Sequence, residues 1–171
     1  IKTYFRDGQS FGVEITYLEE KKKLGTAGPL GLIEETLSDP LVVMNGDILT
    51  NVDFSALLSY HLDYRSMVTV ATRSFDVQVP FGVVEGADHA ITEIIEKPIY
   101  SYQVNAGIYA IAPSVLDRVT GKSLIDMPDL IRALIEDGQR VTSFPMHEYW
   151  IDIGRKEDLN RAAGEFSDVF S

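Results

Sequence analysis

Four consecutive apolar residues, Leu41-Val42-Val43-Met44, stand between Asp39-Pro40 and the turn Asn45-Gly46-Asp47. A short apolar run closed by turn residues on both sides is the pattern of a strand buried on both faces, as in a parallel sheet covered by helices. The flanking segments agree. Val13-Glu14-Ile15-Thr16-Tyr17-Leu18 alternates and is β-branched, which predicts a strand. Between the two lies the turn Gly25-Thr26-Ala27-Gly28-Pro29, with Thr26 placed to cap a helix over residues 30–37. Strand, helix and strand at this spacing predict a βαβ unit.

The alternation continues downstream. Asp53 is a plausible N-cap for a helix that sets Phe54, Leu57, Leu58 and His61 on one face. A strand is predicted over 67–72. Pro80-Phe81-Gly82 leads into a short strand at 83–85, and Gly86-Ala87-Asp88 turns it into 91–96 as a hairpin. A strand at 103–111 carries Asn105-Ala106-Gly107, and Pro113 opens a short helix to 116. Asp126-Met127-Pro128-Asp129 begins a stronger helix with Leu130, Ile131, Leu134 and Ile135 inward and Gly138 as its stop. Strands at 140–144 and 148–153 and a helix at 155–166 complete the pattern. It predicts an α/β fold with a mainly parallel sheet and an antiparallel excursion in its middle.

A chain of 171 residues is the size of a single domain. No apolar run approaches the length a bilayer demands. Asp plus Glu number 26 against 15 Lys plus Arg, a formal charge of −11. That balance argues against nucleic acid and anionic membrane surfaces as partners. A phosphate-bearing substrate would need a metal ion or a local cluster of cations. The absence of cysteine excludes disulfides, thiolate nucleophiles and Cys-based zinc sites, and fits a reducing, cytoplasmic location. The first residue is Ile1, and residues 1–5 read as the tail of a helix stopped by Asp7-Gly8, so the chain is expected to begin inside a fold.

Asp47 follows a buried strand, at the sheet edge where open α/β folds bind ligands. Mg²⁺ takes one or two carboxylates together with substrate phosphate oxygens. The alternative is an ordinary turn aspartate. Asp152 lies in a strand whose period sets Trp150, Asp152 and Gly154 on one face; it is either paired, a helix cap, or a second ligand to the same Mg²⁺. Lys97, fixed by Pro98, is a point charge suited to phosphate or a solvated strand end. Asn105 sits in an apolar strand, and its amide binds either a ligand hydroxyl or nearby backbone. Gly25-Thr26-Ala27-Gly28 matches neither the P-loop nor G-x-G-x-x-G, but suits a close-approach turn beside a planar base. His61, His89 and His147 show no metal-ligand spacing, and no hydrolase nucleophile is visible.

Taken in order, Leu24-Gly25-Thr26-Ala27-Gly28-Pro29-Leu30, Val43-Met44-Asn45-Gly46-Asp47, Phe81-Gly82-Val83-Val84-Glu85, Glu96-Lys97-Pro98, Asn105-Ala106-Gly107-Ile108-Tyr109 and Trp150-Ile151-Asp152-Ile153-Gly154 resemble the sugar-1-phosphate nucleotidylyltransferases, most closely the mannose-1-phosphate guanylyltransferase-like branch. Val79-Pro80-Phe81-Gly82, Asp126-Met127-Pro128-Asp129-Leu130 and His147-Glu148-Tyr149-Trp150 are similar to members with paired CBS domains upstream.

The resemblance implies a Rossmann-like three-layer sandwich with a mixed sheet. It implies transfer of a nucleotidyl group, from GTP in this branch, to a sugar 1-phosphate with release of pyrophosphate. By position, Gly25 and Thr26 would approach the base, and Asp47 and Asp152 would hold Mg²⁺. Gly82, Glu96 and Asn105 would meet sugar hydroxyls, and Lys97 the sugar phosphate; Asp47, Lys97 and Asp152 would be the catalytic groups.

The family's glycine-rich loop with its arginine, followed by Pro-Lys-Pro, is not in this sequence. Residues 1–171 are therefore expected to form the C-terminal portion of a catalytic domain, inactive alone. They would leave residues 41–44 unpaired on one side, and so self-associate as a homo-oligomer or rearrange to cover that edge. Two other readings stay open: a non-catalytic nucleotide-sugar-binding or regulatory relative, and a glycosyltransferase of related fold, which would usually carry Asp-x-Asp where Asn45-Gly46-Asp47 stands.

Overall fold

The computed structural model describes residues 1–121 and 123–170. Among the described residues, eight strands run β1 (Leu41–Met44), β2 (Ile48–Thr50), β3 (Val68–Gln78), β4 (Gly82–Ala87), β5 (Ala90–Glu96), β6 (Ile99–Ile111), β7 (Val141–Pro145) and β8 (Trp150–Asp152). The α-helices are α1 (Lys2–Phe5), α2 (Phe54–Asp63), α3 (Met127–Glu136) and α4 (Lys156–Phe170). Short 3₁₀ turns lie at Gln9–Phe11, Gly28–Leu32 and Pro113–Arg118.

The main sheet has the order β1-β6-β3-β7. Its end nearest α3 is buried on both faces, and β6 shows how. Tyr109 and Ile111 face a core made with Val68, Val115, Met127, Leu130 and Leu134. Ala106, Ile108 and Ala110 face a second core made with Val52, Leu57, Ala71 and Met146. Helix α3 therefore covers one face and α2 the other, which makes three layers. Each fully buried leucine of these helices contributes about 2 kcal/mol of transfer free energy.

Local signals account for both helices. The Asp53 carboxylate accepts the Ala56 N–H at 2.9 Å and caps α2. Helix α3 begins with Pro128 in its first turn and stops before Gly138, whose φ of +71° is the left-handed conformation glycine adopts readily. On the buried face of α2, His61 places Nδ1 2.9 Å from the Thr69 hydroxyl, which lies 3.0 Å from that of Thr142. Burial holds the His61 pKa below its ordinary value.

Five expectations are corrected. Residues 13–18 form no strand: Val13 and Leu18 are exposed, and no described strand lies beside them to complete a ladder. The βαβ unit is consequently absent. The helix expected over 30–37 is only the 3₁₀ turn at Gly28–Leu32. There Gly31 packs so closely that a Cβ would lie 2.2 Å from the Gly121 nitrogen and 2.4 Å from the Val119 oxygen. The sheet is mixed rather than mainly parallel: β3 pairs parallel with β7, but β6 runs antiparallel to both β1 and β3, because the chain doubles back through the β4–β5 hairpin. That hairpin turns at Asp88-His89, both with positive φ, rather than at Gly86-Ala87-Asp88. Strand β1 pairs on one side only among the described residues and ends the sheet, as expected for residues 41–44.

Candidate active site

A bulge in β6 builds the centre of the site. Val70 of β3 pairs with Tyr109, but Thr72 pairs with Asn105, so β6 carries two residues more than β3 across the same step. Ala106, Gly107 and Ile108 stand opposite Ala71 alone, and the backbone at Gly107 turns toward the loop that follows β1. Gly107 has φ +70°, and a Cβ there would lie 2.6 Å from Ile48 Cδ1 and 2.8 Å from Asn45 Nδ2. The Gly107 carbonyl accepts the Asn45 N–H at 3.0 Å, which locks the bulge to that loop.

The bulge floors an open cavity of about 380 Å³ lined by Thr26, Asn45, Asn105, Tyr109, Asp126 and Asp152, with Trp150 and Pro128 among its remaining walls. These residues come from five separate stretches of the chain. Of the sequence candidates, it gathers Thr26, Asn105 and Asp152.

Asn105 is oriented by its neighbours. Its Oδ1 accepts the Gly107 N–H at 2.9 Å, so Nδ2 faces the Tyr109 hydroxyl and donates to it at 2.8 Å. Burial raises the Tyr109 pKa, against a smaller lowering effect of the Asn105 hydrogen bond. The phenol is therefore protonated at neutral pH. Its oxygen accepts from Asn105, which leaves its own proton for another acceptor. Tyr109 was missed in the sequence because an aromatic in an apolar strand reads as core; the asparagine four residues before it on a glycine bulge is the signal that marks it.

Strand β8 supplies the other wall. Trp150 donates its indole N–H to the Ala106 carbonyl at 2.8 Å, and the Arg73 guanidinium sits 5.8 Å from the Trp150 ring centroid while donating to the Trp150 carbonyl at 3.2 Å. Strand β8 pairs antiparallel with β2, with Asp152 opposite Ile48. One step along, the Ile153 N–H donates to the Asp47 carbonyl at 2.8 Å. Asp47 and Asp152 thus stand on neighbouring segments, one step apart in register. Among the described residues neither carboxylate enters a hydrogen bond or ion pair, and no group of three or more His, Asp or Glu gathers there. Two uncommitted carboxylates suit a hard cation that keeps its waters and takes its remaining ligands from substrate phosphate. They do not make a cage that would hold a metal alone.

The turn at Gly25-Thr26 is held from behind. Gly25 has φ +80°, and a Cβ would lie 2.5 Å from the Ile125 carbonyl oxygen. Thr26 does not cap the turn that follows it, where no side-chain cap is present. It accepts the Met127 N–H at 2.8 Å instead and caps α3.

Gly82, Glu96 and Lys97 lie together at the base of the β4–β5 hairpin and are not among the cavity's lining residues. Gly82 pairs with Glu96, and a Cβ on Gly82 would meet Glu96 Oε2 at 3.0 Å. Lys97 adopts a φ of +47°, a conformation a lysine rarely takes, with its N–H 3.3 Å from the Phe81 carbonyl oxygen.

Comparison with known proteins gives these features a context. The family model described as Nucleotidyl transferase matches residues 1–168. A mannose-1-phosphate guanyltransferase of Candida albicans is 30% identical over 167 residues, 93% of this chain and 46% of that enzyme. The mannose-1-phosphate guanylyltransferase catalytic subunit beta of Xenopus tropicalis is 31% identical over 155 residues, 86% of this chain and 43% of that subunit. The chain thus spans a little under half the length of these curated relatives. A crystal structure from Bacillus anthracis, assigned as a glucose-1-phosphate thymidylyltransferase and in complex with a sucrose, superposes with a TM-score of 0.74 at 27% identity, over 99% of this chain and 72% of that one.

Proposed function

The chain belongs to the Nucleotidyl transferase family, and from that premise we propose that the full-length protein transfers a nucleotidyl group from GTP to a hexose or hexosamine 1-phosphate. The observation that carries this reading is the cavity itself. It joins Thr26, Asn105 and Asp152 from distant parts of the chain, with Asp47 one step away in register.

In the reaction, an oxygen of the sugar phosphate attacks the α-phosphorus in line. A new P–O bond forms, the α–β bridging P–O bond breaks, and pyrophosphate leaves. No protein nucleophile is required. Positioning and charge neutralisation are the main demands.

The Gly25-Thr26 turn presents backbone to the base. Asn105 and Tyr109 offer a fixed amide and a phenolic O–H to sugar hydroxyls, with Gly82 and Glu96 assigned to further hydroxyls from the hairpin. Lys97 is assigned to the sugar phosphate, where a point charge is needed. Asp47 and Asp152 would hold Mg²⁺, which would supply charge neutralisation for the triphosphate. No Lys or Arg lines the cavity among the described residues, so the 171-residue chain alone is expected to release no pyrophosphate.

Asp47→Asn and Asp152→Asn in the full-length protein test the assignment. Each should abolish magnesium-dependent pyrophosphate release and leave the fold intact by circular dichroism. Near-normal turnover in either variant overturns the metal assignment.

A further inference from the structure

Asp126 occupies the N-cap position of α3, yet its side chain makes no capping bond to its own helix. Pro128, two residues on, has no N–H to offer, and the Asp129 N–H is taken by the Asp126 backbone carbonyl at 3.0 Å. The carboxylate turns instead to a partner 100 positions away. Its Oδ1 accepts the Thr26 backbone N–H at 2.9 Å and the Thr26 hydroxyl at 3.4 Å. In return Thr26 Oγ1 accepts the Met127 N–H at 2.8 Å, the donor at the start of the helix. Each segment's side chain therefore accepts a backbone N–H of the other.

Backbone bonds flank this exchange. The Ile125 N–H donates to the Leu24 carbonyl at 2.8 Å, and the Ala27 and Gly28 N–H groups donate to the Ile125 carbonyl at 3.0 and 3.1 Å. At Gly25 a Cβ would lie 2.7 Å from Asp126 Oδ1, so only glycine lets the carboxylate come this close. The support is rigid, since Met127, Leu130 and Leu134 of α3 are fully buried. Thr26 and Asp126 both line the cavity.

The geometry points to Asp126 as a positioning residue for the nucleotide. It holds the Gly25-Thr26 turn at a set depth against α3, and so fixes the wall that meets the base. This rests on the reading above that the turn faces the base. An ordinary helix cap would serve only the stability of α3. A carboxylate that makes no bond to its own helix and holds a cavity-lining turn instead serves the cavity.

The test uses Asp126→Ala and Asp126→Asn in the full-length protein, with KM measured separately for the triphosphate and the sugar 1-phosphate. Asp126→Ala should raise the triphosphate KM by about tenfold, the scale of a lost hydrogen bond to a charged group, and change the sugar-phosphate KM less than about twofold. Asp126→Asn keeps an acceptor at Oδ1 and should stay within about threefold of wild type. A triphosphate KM left unchanged by Asp126→Ala overturns the inference. So does an effect on the sugar phosphate instead, or an asparagine variant as impaired as the alanine one.

If Asp126→Ala fails to fold, Thr26→Val against Thr26→Ser carries the same comparison. Amide exchange gives a readout free of turnover: Asp126→Ala should speed exchange at Thr26 by about tenfold and leave Leu134 unchanged. Unaltered exchange at Thr26 overturns the clasp. A wild-type protein that turns over no triphosphate removes the base reading and with it the nucleotide half of this inference, and the exchange data then decide the clasp alone.

Discussion

The indole N–H of Trp150 donates to the carbonyl oxygen of Ala106 across 2.8 Å. This bond ties β8, which carries Asp152, to the β6 bulge that carries Asn105. The two halves of the proposed site, metal and sugar, are therefore mechanically linked. Trp150→Phe keeps an aromatic ring and deletes the donor. It should cost about 1 kcal/mol in urea unfolding and weaken sugar-phosphate binding several-fold by calorimetric titration. An unchanged affinity would show that the link does not set the site.

The bulge depends on Gly107. Its φ of +70° resembles the +71° of Gly138, but a Cβ at 107 would collide with Ile48 and Asn45, whereas the space at 138 is open. Gly138→Ala should cost about 1 kcal/mol, the strain of the left-handed conformation alone. Gly107→Ala should cost roughly 2 kcal/mol more, from overpacking, and should also impair binding. Equal costs in denaturant would contradict the role given to crowding at the bulge.

The pH dependence of stability is expected to carry a His61 contribution. Burial lowers its folded-state pKa below the ordinary 6.5, so the neutral ring is favoured in the fold. The unfolded chain takes up the proton first as pH falls. Stability should thus be full above about 6.5 and decline toward the lower, folded value. Replacing His61 by glutamine should flatten the stability slope between roughly pH 5 and 7 relative to wild type. An identical slope in the variant would contradict this.

Much of the fold was legible because its signals are local. Asp53 capping α2, Pro128 and Gly138 bounding α3, and the apolar run of β6 all act within a few residues. The misses share one physical cause. Residues 13–18 have strand composition, but a strand needs a neighbour to accept its ladder, and none lies beside it among the described residues. Gly31 was hidden for a similar reason, since its constraint is the approach of Gly121 and Val119 from far along the chain. At the site, Asn105 and Asp152 stood out as polar residues in apolar strands. Tyr109 and Asp126 did not. One reads as core and the other as a helix cap, until Asn105 and Thr26 are seen against them.

The most direct measurement is pyrophosphate release by the full-length protein, with Mg²⁺ and a panel of hexose and hexosamine 1-phosphates, against GTP, ATP, UTP and dTTP in turn. The account predicts sugar-phosphate-dependent release with GTP preferred over the other three. A clear preference for UTP or dTTP would contradict the guanylyl assignment, and no release with any pair would contradict the proposed transfer itself.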